Sequence, residues 1–243
     1  MSNHESGALK DSDSLQAGVR AFPRSLPRWQ VLLVLVGFPV IYWLNSFTPW
    51  SYGLFVDGDR GWYVSFAASV LVLHWTTTLL ALYLVRRGGG TWRDIGLNVN
   101  FPGVVIMLSL LLALGGAMVA LRPWCAPRYD EILDWMSLYP VTTTESVMMV
   151  LAAVSAGFCE ELIYRGFAIR VLQGRGMRTG AAVLLALLSF IFIHGVSALF
   201  LFPLLIVAGL IASAIFLWRK SLTPVICLHA VFDLTMVWVA SVE

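Results

Sequence analysis

The chain has 243 residues, 59% of them hydrophobic and only 12% charged, with a formal net charge of +2 and a mean hydropathy of +0.81. Soluble domains carry about 25% charged residues, so this composition cannot cover a water-facing surface, and lipid must solvate much of the chain. A charge this small gives no ground for a nucleic-acid partner, and none is expected. Cys125, Cys159 and Cys227 have neither CxxC nor zinc-finger spacing, which argues against a disulfide framework and a cysteine metal site.

Residues 1–30 form a polar tail, with His4, Glu5, Lys10, Asp11, Asp13, Arg20, Arg24 and Arg28. It is expected to be disordered and cytoplasmic. The long apolar run that follows reads as an uncleaved anchor rather than a signal peptide. Residues 31–243 then read as one membrane domain. A spanning helix needs about 20 apolar residues, and candidate spans are Val31–Thr48, Trp62–Val85, Phe101–Leu121, Ser146–Gln173, Ala181–Phe200, Pro203–Trp218 and Leu222–Ala240. The expected fold is an all-α polytopic transmembrane bundle of about seven spans, with its catalytic core in the last four helices. Pro39 should kink the first span. Spans five and six should form a tight hairpin around Phe200 to Pro203. The stretch Tyr129–Leu138 reads as a short helix lying on the membrane surface.

With the N-terminus inside, the cytoplasmic segments carry Lys10, Arg20, Arg24, Arg28, Arg86, Arg87, Arg93, Arg165, Arg170, Arg175, Arg178, Arg219 and Lys220, against Arg60, Arg122 and Arg128 outside. That asymmetry follows the positive-inside rule and puts the C-terminus on the opposite side. Tryptophans such as Trp29, Trp62, Trp92 and Trp218 fall near span ends, as interfacial anchors do. Small residues four apart, Ala113/Ala117, Ala153/Gly157 and Gly209/Ser213, suit close helix packing.

Ionisable groups inside a span cost about 2.5–3.5 kcal/mol each on insertion scales. Here they are Glu160, Glu161, Arg165, Arg170 and Asp233, with His74, His194 and His229, and all but His74 lie in the last four spans. Glu161 and Arg165, four apart, share a helix face and can pair. Glu160 points about 100° away, which leaves it free to face a cavity. Glu160 and His194 each lie seventeen residues from Met177, in the middle of the connection Gly174–Gly180. In an antiparallel hairpin, equal distance from the turn means equal depth, where an acid and an imidazole can hold and deprotonate a water. His229 and Asp233 sit at i, i+4 on one face. The remaining polar groups have plainer roles: His74 and Phe190 as packing residues, Arg170 snorkelling to the interface, Cys159 as an inert buried thiol, and Tyr164 either packing or reaching the cavity.

EExxxR (Glu160-Glu161…Arg165), FxxxH (Phe190…His194) and HxxxN/D (His229…Asp233) follow in that order on late membrane helices. The set resembles the CAAX-protease and bacteriocin-processing (CPBP, or Abi) family of intramembrane glutamic endopeptidases, over about residues 145–240. The resemblance implies that Glu160 is the general base on the attacking water and His194 shares that task. His229 and Asp233 would line the oxyanion site, with Glu161 and Arg165 in support. It implies a membrane-associated protein or peptide as substrate, no cofactor, and leaves the oligomeric state open. Asp233 departs from the donor that an oxyanion hole requires, because an ionised aspartate donates nothing. Either it is protonated, or it orients and charges His229. Two alternatives stand beside this reading. Glu160, His194 and His229 also make a catalytic zinc set, and Asp/Glu/His chains in membranes also mark transporters or fix a non-catalytic scaffold or immunity protein.

Overall fold

The computed structural model describes residues 26–47, 61–98, 140–195 and 198–240, with the isolated positions 105, 109, 113, 116 and 120. Among these residues every regular element is helical. We number the helices α1 (Arg28–Asn45), α2 (Gly61–Arg87), α3 (Thr143–Gly174), α4 (Thr179–Phe192), α5 (Ala198–Arg219) and α6 (Thr223–Ala240). A short 3₁₀ turn, Trp92–Ile95, follows α2. Four stretches are long and apolar enough to cross a membrane: Arg28–Asn45, Trp62–Arg87, Thr143–Gly174 and Leu201–Arg219. The expected tail 1–30 up to residue 25, the surface helix Tyr129–Leu138, and most of the expected span Phe101–Leu121 lie outside the described residues.

Large apolar side chains stand exposed along these helices, among them Leu32, Val36, Val72, Leu79, Leu188, Val207 and Ile211. An apolar surface of that extent is a membrane-facing one. The chain is an integral membrane protein.

Two helices depart from regular α geometry, and in α1 the departure has a local cause. In α1 the residues before Pro39 widen into a π-helical turn, Leu33–Gly37. Proline has no N–H for the carbonyl four residues back and crowds it. That carbonyl belongs to Leu35, and Ser189 Oγ of α4 donates to it at 2.7 Å. The bond missing from α1 has become a bond between helices. In α3 the α-helix Thr143–Glu160 passes into a π-helix, Glu161–Ile169, before resuming as Arg170–Gly174.

The α3–α4 connection is short, with Gly176 at φ +86 supplying the left-handed turn. Spans five and six meet earlier than their hydropathy suggests. α4 stops at Phe192, α5 already runs from Ala198, and Pro203 lies inside α5 rather than at its start. The hairpin expected around Phe200 to Pro203 is therefore replaced by a turn beginning at Ile193. Gly195, at φ +58, allows this turn, and a Cβ there would collide with Ser46 at the end of α1. Apolar runs continue through Ser197–Phe202, so hydropathy alone could not locate the break.

α3 sits at the centre, between α2 and α6. Gly157 sets the α6 contact: a Cβ there would lie 2.7 Å from the backbone nitrogen of Ala230 and 2.8 Å from its Cα. Only glycine lets the two backbones come this close. On the cytoplasm-facing side expected from the charges, Leu222 N donates to Gly96 O at 2.8 Å, and Ser221 and Thr223 hydroxyls donate to Asn98 O. The loop after α2 thus fixes the start of α6.

Candidate active site

The π-helical stretch of α3 begins at the acidic pair. Glu160 is the last residue of the α-helical part and Glu161 the first of the wider coil, all nine of whose residues are buried. An i→i+5 winding turns the chain less per residue than an α-helix does. The two carboxylates take different hydrogen-bond partners, yet both lie within 4 Å of the same imidazole. His229 Nδ1 donates to Glu161 Oε1 at 2.8 Å, while its Nε2 lies 3.9 Å from Glu160 Oε2. His229 Nε2 also lies 3.5 Å from Asp233 Oδ2, as their i, i+4 spacing on α6 predicts. Three carboxylates therefore surround one ring.

Glu161 and Arg165 pair at 3.0 Å. The same oxygen, Glu161 Oε1, accepts from both Arg165 and His229. Glu161 is thus more than the partner of an arginine: it links the α3 ion pair to the α6 histidine. Arg165 is buried, with its guanidinium over the Phe190 ring at 4.4 Å. A buried charge of this kind persists only when paired, and Arg165 has both an anion and a ring face.

His194 is not on a helix face. It lies in the turn just past α4, where its Nδ1 is 2.9 Å from Phe190 O. A carbonyl only accepts, so Nδ1 carries the proton and the ring caps one of the orphan carbonyls that end a helix. In the neutral ring Nε2 is then left as an acceptor. The Phe190 ring contacts His194 and His229, with centroids 4.9 and 6.4 Å away. Phe190 is a wedge that spaces two imidazoles and a guanidinium, beyond the packing role expected of it.

Glu160 is not the free, cavity-facing carboxylate expected from its sequence position. It is 5% exposed, and its Oε1 accepts from His74 Nε2 at 3.0 Å. Glu160 Oε2 is buried and has no hydrogen-bond partner among the described residues. The reading of His74 as a packing residue missed this bond. The one signal for it in the sequence was the cost of burying an imidazole in a span with no visible partner, and nothing local identified a partner 86 positions away.

The other side chains weighed from the sequence fall as follows. Cys159 is a fully buried free thiol, and Tyr164 packs edge-on to Phe190 at 5.7 Å. Arg170 does not simply snorkel: its guanidinium lies over the Phe216 ring at 4.9 Å. Among the described residues, no group of three or more His, Cys, Asp or Glu side chains is spaced to hold a metal ion. The zinc alternative from Glu160, His194 and His229 rests on residue types alone.

The three motifs therefore meet at one place. Glu160, Glu161 and Arg165 come from α3, Phe190 and His194 from the end of α4, and His229 and Asp233 from α6. On α6 the His229 and Asp233 side chains are 17% and 29% exposed, against the nearly complete burial of Glu160 and Glu161.

Residues 142–235 match a family model described as Rce1-like, type II CAAX prenyl endopeptidase. No curated protein and no solved structure matches the chain. The matched stretch opens at the Thr142 cap of α3 and closes at Thr235, two residues past Asp233, so it contains all three motifs. Over residues 142–235 the chain is therefore similar to the Rce1-like type II CAAX prenyl endopeptidases, which fall within the CAAX-protease and bacteriocin-processing family.

Proposed function

We propose that the protein is a glutamic-type intramembrane endopeptidase that hydrolyses a peptide bond of a membrane-associated protein or peptide. The observation that carries the reading is the buried Glu160 Oε2, which has no hydrogen-bond partner among the described residues and lies 3.9 Å from His229 Nε2. A carboxylate oxygen held this way can accept a proton from a water, while imidazole nitrogens handle the charge that develops.

Glu160 is the general base in this mechanism. His194 assists, because its Nδ1 is committed to Phe190 O and its Nε2 is the ring's accepting atom. As water attacks, its proton passes to Glu160 and the substrate carbonyl becomes an oxyanion. His229 donates to that oxyanion from Nε2 while Nδ1 stays bonded to Glu161. Asp233, an acceptor, cannot donate when ionised. Its position 3.5 Å from His229 Nε2 suits orienting and charging that ring. Collapse of the tetrahedral adduct returns the proton from Glu160 to the leaving amine. Glu161 and Arg165 hold His229 in place.

The seven-span topology belongs to the same proposal, with the N-terminus cytoplasmic, the C-terminus opposite, and residues 31–243 as one membrane domain. α4 has 14 residues, about 21 Å at 1.5 Å each, short of the roughly 30 Å hydrocarbon core. The His194 turn therefore falls at membrane depth, where irregular backbone must be buried in protein or line a water-filled space. That is the requirement for a hydrolytic site.

The test is cleavage of a membrane-anchored reporter peptide by the purified protein in proteoliposomes. Wild type is expected to cleave it, and Glu160→Gln to lower kcat on the order of 10²–10⁴-fold. Activity that survives exhaustive chelation supports the metal-free route. Loss on chelation with recovery on added zinc would replace it with the metalloprotease alternative. Cleavage undiminished by Glu160→Gln would overturn the assignment of the base.

A further inference from the structure

His74 lies on α2, outside the stretch 142–235 that matches the family model, yet among the described residues it makes the shortest polar contact of the Glu160 carboxylate. Its ring is 3% exposed. A carboxylate oxygen only accepts, so Nε2–H is the donor to Glu160 Oε1.

The ring is itself held. Tyr42 of α1 packs against it with centroids 5.4 Å apart. The neighbouring residue, Trp75, donates from Nε1 to Ser155 Oγ of α3 at 3.1 Å and stacks on Phe158 at 5.8 Å. α2 is thus anchored to α3 one residue along from His74, at Ser155 and Phe158, both within five residues before Glu160. The terminal torsion of a glutamate is broad and roughly two-fold. Unanchored, the two oxygens of Glu160 would exchange places and share the approach to water. With Oε1 engaged by His74, Oε2 alone is left on the His229 side.

We propose that His74 is a positioning residue for Glu160: its Nε2–H, delivered by α2 from outside the family-matched core, clamps Oε1 and presents Oε2 to the water. The inference rests on Glu160 being the general base. Near-attack geometry of this kind is worth on the order of 10²-fold when misplacement approaches 1 Å. A pair that merely satisfied itself in the core would behave differently: removing one partner would lower stability without a loss specific to kcat.

The test compares His74→Phe, His74→Gln and His74→Asn in the full-length protein in proteoliposomes, with kcat and KM measured separately. Thermal unfolding in detergent serves as the control for folding. Gln can place an amide N–H near the Nε2 position, whereas the shorter Asn cannot. His74→Phe and His74→Asn are expected to lower kcat by about 10²-fold with KM within a factor of about two. His74→Gln should recover most of kcat and keep the wild-type shape of the pH profile, since the clamp donates without exchanging a proton. If His74→Phe does not fold, the Gln-to-Asn contrast decides alone.

Wild-type kcat in His74→Phe or His74→Asn would overturn the proposal, as would a loss confined to KM. A Gln variant as impaired as Phe, with both well folded, would also overturn it, because proton transfer rather than placement would then be required. The two levels fail separately. Absence of any Glu160-dependent cleavage by wild type ends the hydrolase reading and this inference with it. Glu160-dependent cleavage together with an unimpaired His74→Phe removes only the role given to His74.

Discussion

At the scale of single residues, the site is organised by which oxygen each donor takes. Glu161 Oε1 is shared by Arg165 and His229, Glu160 Oε1 is taken by His74, and the Oε2 atoms of Glu160 and Glu161 have no hydrogen-bond partner among the described residues, Glu160 Oε2 being the one 3.9 Å from His229 Nε2. Asp233 is the residue whose chemistry departs most from a donor role, and its variants separate the possibilities. Asp233→Asn keeps a polar group of the same size beside His229 and is expected to retain activity within about tenfold. Asp233→Ala removes the partner at 3.5 Å and is expected to lose on the order of 10²-fold, the scale of one oxyanion-stabilising interaction. Steady-state cleavage rates of the two, side by side, make the check, and equal inactivity would count against an orienting role. The i, i+4 relations were readable from the sequence, because helix geometry alone brings Glu161 to Arg165 and His229 to Asp233. The His74–Glu160 bond was not, since its partners are related only by how α2 packs on α3.

At the scale of elements, small departures from regular helices place the site. The π-helical stretch Glu161–Ile169 begins at the acidic pair, and such insertions recur at functional sites. Nothing in the pattern of Glu160 to Ile169 distinguishes it from a regular helix, so the π-helical stretch was not legible in the sequence. Gly157 was more legible, as one member of the small pair Ala153/Gly157. Its contact sets the α3–α6 distance one residue from His229. Gly157→Ala is expected to destabilise by about 1–3 kcal/mol, as overpacking does, and to lower turnover by displacing His229. A second change, Ala230→Gly, should not restore either property, because the Ala230 nitrogen and Cα also lie within 2.8 Å. Thermal unfolding and turnover of the single and double variants test this, and full rescue would show the contact to be with the methyl group alone. In α1, Ser189→Ala would leave the Leu35 carbonyl without its donor. A buried group left unpaired costs about 1–3 kcal/mol, so a lower unfolding temperature is expected, with no direct effect on the chemistry.

At the scale of the whole molecule, the charge asymmetry and the spans make a topology that can be read with single-cysteine labelling. In a cysteine-free background, a cysteine in the Arg175–Arg178 connection and one near residue 220 should label from the cytoplasmic side. One in residues 241–243 should label from the other side. Labelling of all three from one face would break the seven-span topology while leaving the site geometry untouched. Composition and the motif order made the helical membrane class legible. They could not show where α4 ends, because apolar residues resume on both sides of His194, Gly195 and Ser197, and the break is marked by Gly195 with its positive φ.

The family-matched segment is not self-sufficient as an engineered part. Its acid is clamped from α2, and its last helix is moored at Leu222 to the loop that follows α2. Severed between residues 98 and 140, the two pieces would have to find each other again to restore a working site. Co-expressed halves should therefore complement in trans where the downstream half alone stays silent, and grafting that half onto a foreign membrane scaffold would transfer the motifs without the grip that holds them.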